Sequence, residues 1–292
     1  MKFPLVRDLA TAGFPVTVTC GTLGFSTQAF YKWLAGPITQ RDWDDAHLTN
    51  AIVDVHRDDP TFGYRFIADE VHDAGHAASE TRVHRLCREH RIWSTTTKKG
   101  RRGSGKSPGP AVHDDLVQRN FSATRPNEIW LTDITEHATS TGKLYVCAIK
   151  DLFSNRIVGH ASSDRMTAEL ASAALRSAIA RREPRGTVVV HSDRGSQFRS
   201  RNFRAVLKAN GLTGSMGRVA AAGDNAAMES FFSLLQKNVL DQRRWQSRSE
   251  LHYEVVTWIE RSYNRRRKQR SLGKLTPVQF ELAFAGLTDV AA

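Results

Sequence analysis

Residues 98–110 read Lys-Lys-Gly-Arg-Arg-Gly-Ser-Gly-Lys-Ser-Pro-Gly-Pro, and this stretch limits what the whole chain can build. Glycine and proline prevent a regular backbone hydrogen-bond ladder there, and five basic side chains keep the segment in water. No continuous bundle or sheet can run through it. Before it, apolar residues recur at helical spacing. After it, they alternate as strands do. We therefore expect a helical region over 1–97, a linker over 98–113, an α/β core over 114–240 and a basic helical extension over 241–292.

The chain has 292 residues, 40% of them apolar, enough for two domains with real cores. It carries 42 Lys and Arg against 30 Asp and Glu, a net charge of +12. Such an excess favours a polyanionic partner, because each neutralised phosphate releases counterions. Cys20, Cys87 and Cys147 are odd in number and far apart, which argues against a disulfide framework and suits a reducing compartment. No stretch approaches the roughly eighteen apolar residues of a membrane span, and the start lacks a signal-peptide pattern. A cytoplasmic location is the expectation.

In the first region, Val18 to Leu34 reads as helix, turn, helix: Gly24 breaks the run and Ser26 can cap the second helix. A second helical block runs from Ala46 to about Ile92, with a basic stretch from Arg82 to Arg91. Beyond the linker, Glu128–His137, Leu144–Asp151 and Arg156–Ala161 read as strands, with turns at Thr141-Gly142 and Ser154-Asn155. Thr167–Arg182 reads as a helix, Thr187–His191 as a short buried strand, Arg201–Asn210 as a helix, Leu212–Met216 as a strand, and about Asp224–Val239 as a helix. Three strands, helix, strand, helix, strand, helix is an α/β order with a mixed sheet.

Three acids stand out in that order. Asp133 falls mid-strand, where a carboxylate is disfavoured unless a partner offsets its desolvation. Asp193 comes sixty residues later, just past a buried strand, and Glu229 comes after thirty-five intervening residues, on a helix. Three converging carboxylates can hold two divalent cations about 3.5–4 Å apart, a pair that activates an attacking oxygen and stabilises a leaving one at a phosphodiester. Asp224 reads as a helix cap. Ordinary surface acids are the plain alternative for any one of the three. His72, His76, Cys87 and His90 have zinc-like spacing, but one thiolate is too few for the usual structural site. His191-Ser192-Asp193 is no protease triad, since triad members converge from separate segments. Arg261 to Lys274 holds seven basic residues and no acid, and Trp258 and Tyr263 beside it suggest a DNA-facing surface.

These motifs carry a resemblance. Residues 125–284 resemble the integrase core of bacterial OrfB-type insertion-sequence transposases, with a D…D-x35-E triad on a ribonuclease H-like fold. The matching text is Trp130-Leu131-Thr132-Asp133-Ile134-Thr135, His191 through Phe198, Asp224 through Phe232, Tyr263 through Arg267, Ser271-Leu272-Gly273, and Leu275-Thr276-Pro277 with Phe280-Glu281. Phe62-Gly63-Tyr64-Arg65 and Arg82 through Cys87 resemble the helical DNA-binding region of the same proteins. The resemblance implies a DNA transposase that cleaves and joins strands. It assigns catalysis and metal binding to Asp133, Asp193 and Glu229, with Mg2+ as cofactor and Mn2+ as a substitute. It implies double-stranded DNA partners at element ends and target, a homo-oligomer on DNA, and an upstream-frame fusion partner. A nuclease that cuts without joining, or a DNA-binding regulator derived from a transposase, are the alternatives. Candidate DNA contacts are Arg101, Arg102 and Lys106 in the linker, Asn225, Lys237, and Arg265, Arg266 and Arg267. One position departs from the pattern: the family's glutamate helix carries a lysine seven residues on, where this chain has Gln236, with Lys237 next. One residue turns an α-helix by about 100°, which would rotate Lys237 off the glutamate's face.

Overall fold

The computed structural model describes residues 2–36, 38–95, 110–118, 120–217 and 226–290, the last four as backbone only. Most of the linker, with Arg101, Arg102 and Lys106, and the expected cap Asp224 and contact Asn225 lie outside the described residues. The chain forms two compact units, Met1–Ser94 and Thr95–Ala292.

The first unit contains six helices among the described residues: α1 (Lys2–Thr11), α2 (Val16–Leu23), α3 (Thr27–Ala35), α4 (Gln40–Asp58), α5 (Tyr64–Asp73) and α6 (Glu80–Glu89). The α2–α3 turn arises from two residues. Gly24 takes φ 75°, a left-handed conformation that side chains resist, and ends α2. Ser26 then caps α3, its Oγ accepting the Ala29 amide at 3.1 Å. Val6, Cys20 and Phe30 close a small core under α1, α2 and α3. The block expected from Ala46 to Ile92 is a second three-helix cluster, α4–α6, around Leu48, Ile52, Phe62, Ile67, Val71, Val83 and Leu86. Cys87 belongs to that core at 1% exposure, whereas His72 and His90 are exposed, so the four residues with zinc-like spacing do not face one another.

The second unit is built on a five-stranded sheet in the order β3-β2-β1-β4-β5. The strands are β1 (Ile129–Thr139), β2 (Gly142–Asp151), β3 (Ile157–Ser163), β4 (Val189–Ser192) and β5 (Thr213–Met216). β1, β2 and β3 pair antiparallel, and β4 runs parallel to both β1 and β5. This is the mixed sheet expected, flanked by helices on both faces. On one face Trp130, Cys147, Ile149, Val158 and Val190 pack against α7 (Ala168–Arg182) and α8 (Arg201–Ala209). α7 comes close enough that a Cβ on Gly159 would meet the Ala174 carbonyl and Ala178 at 2.6 Å, so only glycine fits there. On the other face Leu131, Leu144, Val146 and Ala148 meet α9 (Ala226–Leu235) and α10 (Arg248–Thr257). Each fully buried Leu or Phe in these layers contributes roughly 1.5–3 kcal/mol.

Residues 241–290 pack into this same unit. α11 (Pro277–Val290) is clasped by Glu281, which accepts from Ser154 Oγ at 2.7 Å, Arg156 at 2.6 Å and Arg182 at 2.8 Å. Asn264 acts as a strand at the β3 edge, accepting the Ile157 amide at 2.9 Å and donating to the Ile157 carbonyl at 3.0 Å. The aromatic residues of this region are not a DNA-facing surface. Trp258 is 8% exposed and Tyr263 2%, both in the core against Phe231. Their large apolar area is worth more inside, and the turn they occupy, Trp258–Tyr263, is a π-helix whose pattern an α-helical reading does not anticipate.

Candidate active site

Asp133 lies mid-β1, opposite Ala148 of β2. β1 and β4 run parallel with Leu131 beside His191, so two residues further along each chain Asp133 comes abreast of Asp193. Asp133 is half-buried, and one of its oxygens accepts the Ile134 amide at 2.7 Å. Asp193 is exposed just beyond β4. Its Oδ1 accepts the Gly195 amide at 2.9 Å, which folds the loop back on itself. A Cβ on Gly195 would meet Gln197 Oε1 at 2.8 Å and Asp193 Oδ1 at 2.9 Å, so a larger residue there would have to push these side-chain ends aside. The loop is also tied to β5: Arg194 Nε donates to the Gly217 carbonyl at 2.7 Å. His191 Nδ1 lies 2.9 Å from Ser215 Oγ inside the sheet, turned to β5 and not toward Ser192 as a triad would require.

Glu229 sits in the first turn of α9. Met228, Phe231 and Leu235 of that helix are buried against the sheet, and Glu229, at the border of this stripe, is exposed. Asp133 feels all three placements. Burial first, then the charge of Asp193, and more weakly that of Glu229, push its carboxyl up to about 7, against the lowering pull of the Ile134 amide. Asp133 is thus within electrostatic reach of both other acids. Among the described residues, no three His, Cys, Asp or Glu side chains stand at the spacing of a closed metal site. An all-carboxylate set fits a hard, oxygen-seeking divalent cation and is poorly suited to zinc.

Two features of the site carry little or no sequence signal. The α9 helix gives way at once to a π turn, Gln236–Leu240, in which the Asp241 amide donates to the Gln236 carbonyl at 2.9 Å, five residues back. The α-helical rotation of about 100° per residue therefore does not carry past Leu235. Lys237 is exposed inside this wider turn, and Gln236 is half-buried. The second feature is Lys150 of β2, 5% exposed, whose ammonium donates to the Ala227 carbonyl at 3.1 Å. Burial pulls this ammonium down to about 8. Its only sequence signal is the charged pair Lys150-Asp151 closing the apolar run from Leu144 to Ile149. Of the other DNA-contact candidates, Arg265 is exposed, and Arg266 and Arg267 are half-buried.

Sequence families match this architecture. Residues 123–222 and 210–277 match integrase core domain models, and residues 42–100 match an HTH-like domain that covers α4–α6. The transposase InsF of insertion sequence IS3A from Escherichia coli is 32% identical over 284 residues, 96% of this chain and 98% of the relative. A 31 kDa protein of insertion element IS600 from Shigella sonnei is 33% identical over 262 residues, 89% of this chain and 96% of the relative. Among solved structures, a simian T-cell lymphotropic virus intasome matches with a TM-score of 0.44 at 17% identity, covering 79% of this chain and 74% of that one. The HTLV-2 integrase catalytic core, solved with magnesium, matches with a TM-score of 0.42 at 18% identity, covering 55% of this chain and 99% of that one. The protein is a DNA transposase with a DDE-type integrase core. The chain belongs to the IS3 family of insertion-sequence transposases.

Proposed function

We propose that Asp133, Asp193 and Glu229 are the catalytic metal ligands of this transposase, with Mg2+ the working ion and Mn2+ able to replace it. The observation that carries this reading is Asp133: a carboxylate in mid-strand, raised by burial and by two neighbouring acids, gains from taking up a proton or a cation, and the two acids beside it offer further oxygen ligands to a cation. A bound pair of ions would supply nucleophile activation and leaving-group stabilisation at the scissile phosphodiester. The chain's own residues provide the setting. β1 carries Asp133, the loop just past β4 carries Asp193, and α9 carries Glu229. The Gly195 turn keeps side-chain bulk away from Asp193, so a DNA backbone can approach.

Arg101, Arg102, Lys106, Asn225, Lys237, Arg265, Arg266 and Arg267 are the DNA contacts of this reading. Ser26 to Leu34, at the turn and along α3, supplies a helix for the major groove. The protein acts as a homo-oligomer on element ends and target DNA, joined to an upstream-frame partner, in the cytoplasm at the nucleoid. Mn2+ titration of the metal-free protein tests the ligand assignment. Wild type binds Mn2+ and Asp133→Asn does not; equal binding by both contradicts it. The arginine assignment is tested by salt. Neutralising Arg265, Arg266 and Arg267 flattens the slope of log affinity against log salt by about 0.9 for each phosphate no longer neutralised, and an unchanged slope places them facing solvent.

A further inference from the structure

Among the described residues, Lys150 is the one lysine or arginine that is buried. It stands on β2 opposite Leu131, on the sheet face that also carries Asp133, since Ala148, its neighbour on that face, pairs with Asp133. No carboxylate among the described residues forms an ion pair with it. Among the described residues its one hydrogen bond goes to the carbonyl of Ala227 at 3.1 Å, in the first turn of α9 and two residues before Glu229.

Stability does not account for this lysine. A buried ammonium with a single neutral acceptor is worse than an apolar side chain of the same shape. Its position near the start of α9 is also the wrong end of a helix dipole for a cation. What the ammonium does achieve is local. First turns fray, because their amides lack intrahelical partners, and a bond from the sheet into that turn opposes fraying.

We propose that Lys150 is a positioning residue, whose bond to the Ala227 carbonyl fixes the first turn of α9 against β2 and thereby sets where Glu229 stands relative to Asp133. This rests on Glu229 being a catalytic metal ligand. It also explains how an exposed glutamate on a helix end can be held near a strand carboxylate without a bond of its own to the sheet.

The test uses full-length protein as wild type, Lys150→Met, Lys150→Gln and Glu229→Gln. Methionine fills the space and removes the buried charge, so the fold should hold with an unchanged or higher melting temperature. In the metal-free protein, hydrogen exchange across residues 226–235 should rise about tenfold in Lys150→Met, the loss of one charge-assisted bond, with β1 and α7 unchanged. The Mg2+ concentration for half-maximal cleavage should rise by a similar factor of about ten, with the maximal rate much less affected. Lys150→Gln, which still donates, should recover part of both effects. Unchanged exchange over 226–235 overturns the proposal, whatever Glu229 does. Faster exchange with an unshifted Mg2+ curve, while Glu229→Gln is inactive, also overturns it, because the anchor would then not reach the glutamate. Full activity of Glu229→Gln would instead remove the role on which the proposal rests.

Discussion

In the unit of α1–α6, charge stays at the rim. Asp45 on α4 meets Arg82 at 2.7 Å and Arg85 at 2.5 Å, with the arginine side chains 29% and 36% exposed. Those bonds hold the Asp45 carboxyl below its ordinary range, Arg85 first and Arg82 second. The sheet unit takes charge inside. Asp151 is fully buried, Glu281 is 9% exposed and Lys150 is 5% exposed. There, outcomes diverge. Glu281, shared by Arg182, Ser154 and Arg156, is held below its ordinary range despite burial. Asp151, with Arg182 at a longer 3.4 Å, rises to about 6 because burial outweighs the pair. Asp133 rises to about 7 through burial first and the acids beside it second. Interior charge with opposite partners is a clasp, and interior charge among like neighbours marks a site that wants a ligand.

The largest stability effect should come from opening the clasp. Arg182→Ala leaves Asp151 buried without its cation and should cost about 3–5 kcal/mol in urea unfolding of the sheet unit. In the helical unit, Asp45→Ala removes only rim pairs and should cost about 1 kcal/mol or less. Equal losses would erase the contrast between the units. Next in size, Ser26→Ala should cost about 1 kcal/mol, read as faster exchange confined to α2 and α3. Spread of that effect to α4–α6 would show that the two small helical cores melt together.

The smallest effect is a pH dependence. The bond with His160, with help from Arg181, holds Glu260 down to about 2, below its unfolded value near 4.5. A depressed carboxylate stabilises fully above the unfolded value, and that stability is lost as pH falls through the folded one. Wild type should therefore lose up to about 1 kcal/mol relative to Glu260→Gln between roughly pH 4.5 and 2, after solvent screening. Parallel acid-melting curves would show that this partly exposed cluster contributes nothing.

Much of the fold is legible in the sequence where the cause is local. Gly24 and Ser26 announce the α2–α3 turn, alternation announces β1 to β3, and the short apolar run before Asp193 announces a buried strand. The three acids are legible because a mid-strand aspartate needs a reason. The features that escape a sequence reading depend on distant partners. Trp258 and Tyr263 beside seven basic residues suggest a surface, yet Phe231 draws both inward. The π turn at Gln236–Leu240 breaks α periodicity with no proline or glycine to signal it. The α4–α6 cluster reads as one helical block because the pairing of Asp45 with Arg82 and Arg85 spans some forty residues. Lys150 has meaning only once Ala227 is above it.

The central claim is that Asp133, Asp193 and Glu229 act as one unit on DNA. The direct measurement is Mg2+-dependent cleavage and joining of element-end DNA by the full chain, with DNA binding monitored in parallel. Asp133→Asn, Asp193→Asn and Glu229→Gln should each lose both activities by about a thousandfold or more, the scale of several kcal/mol of metal-supplied charge stabilisation. DNA affinity should stay close to wild type, since no basic surface is removed. Any one of the three retaining activity within about tenfold of wild type, or losing DNA binding in step with cleavage, would contradict the account.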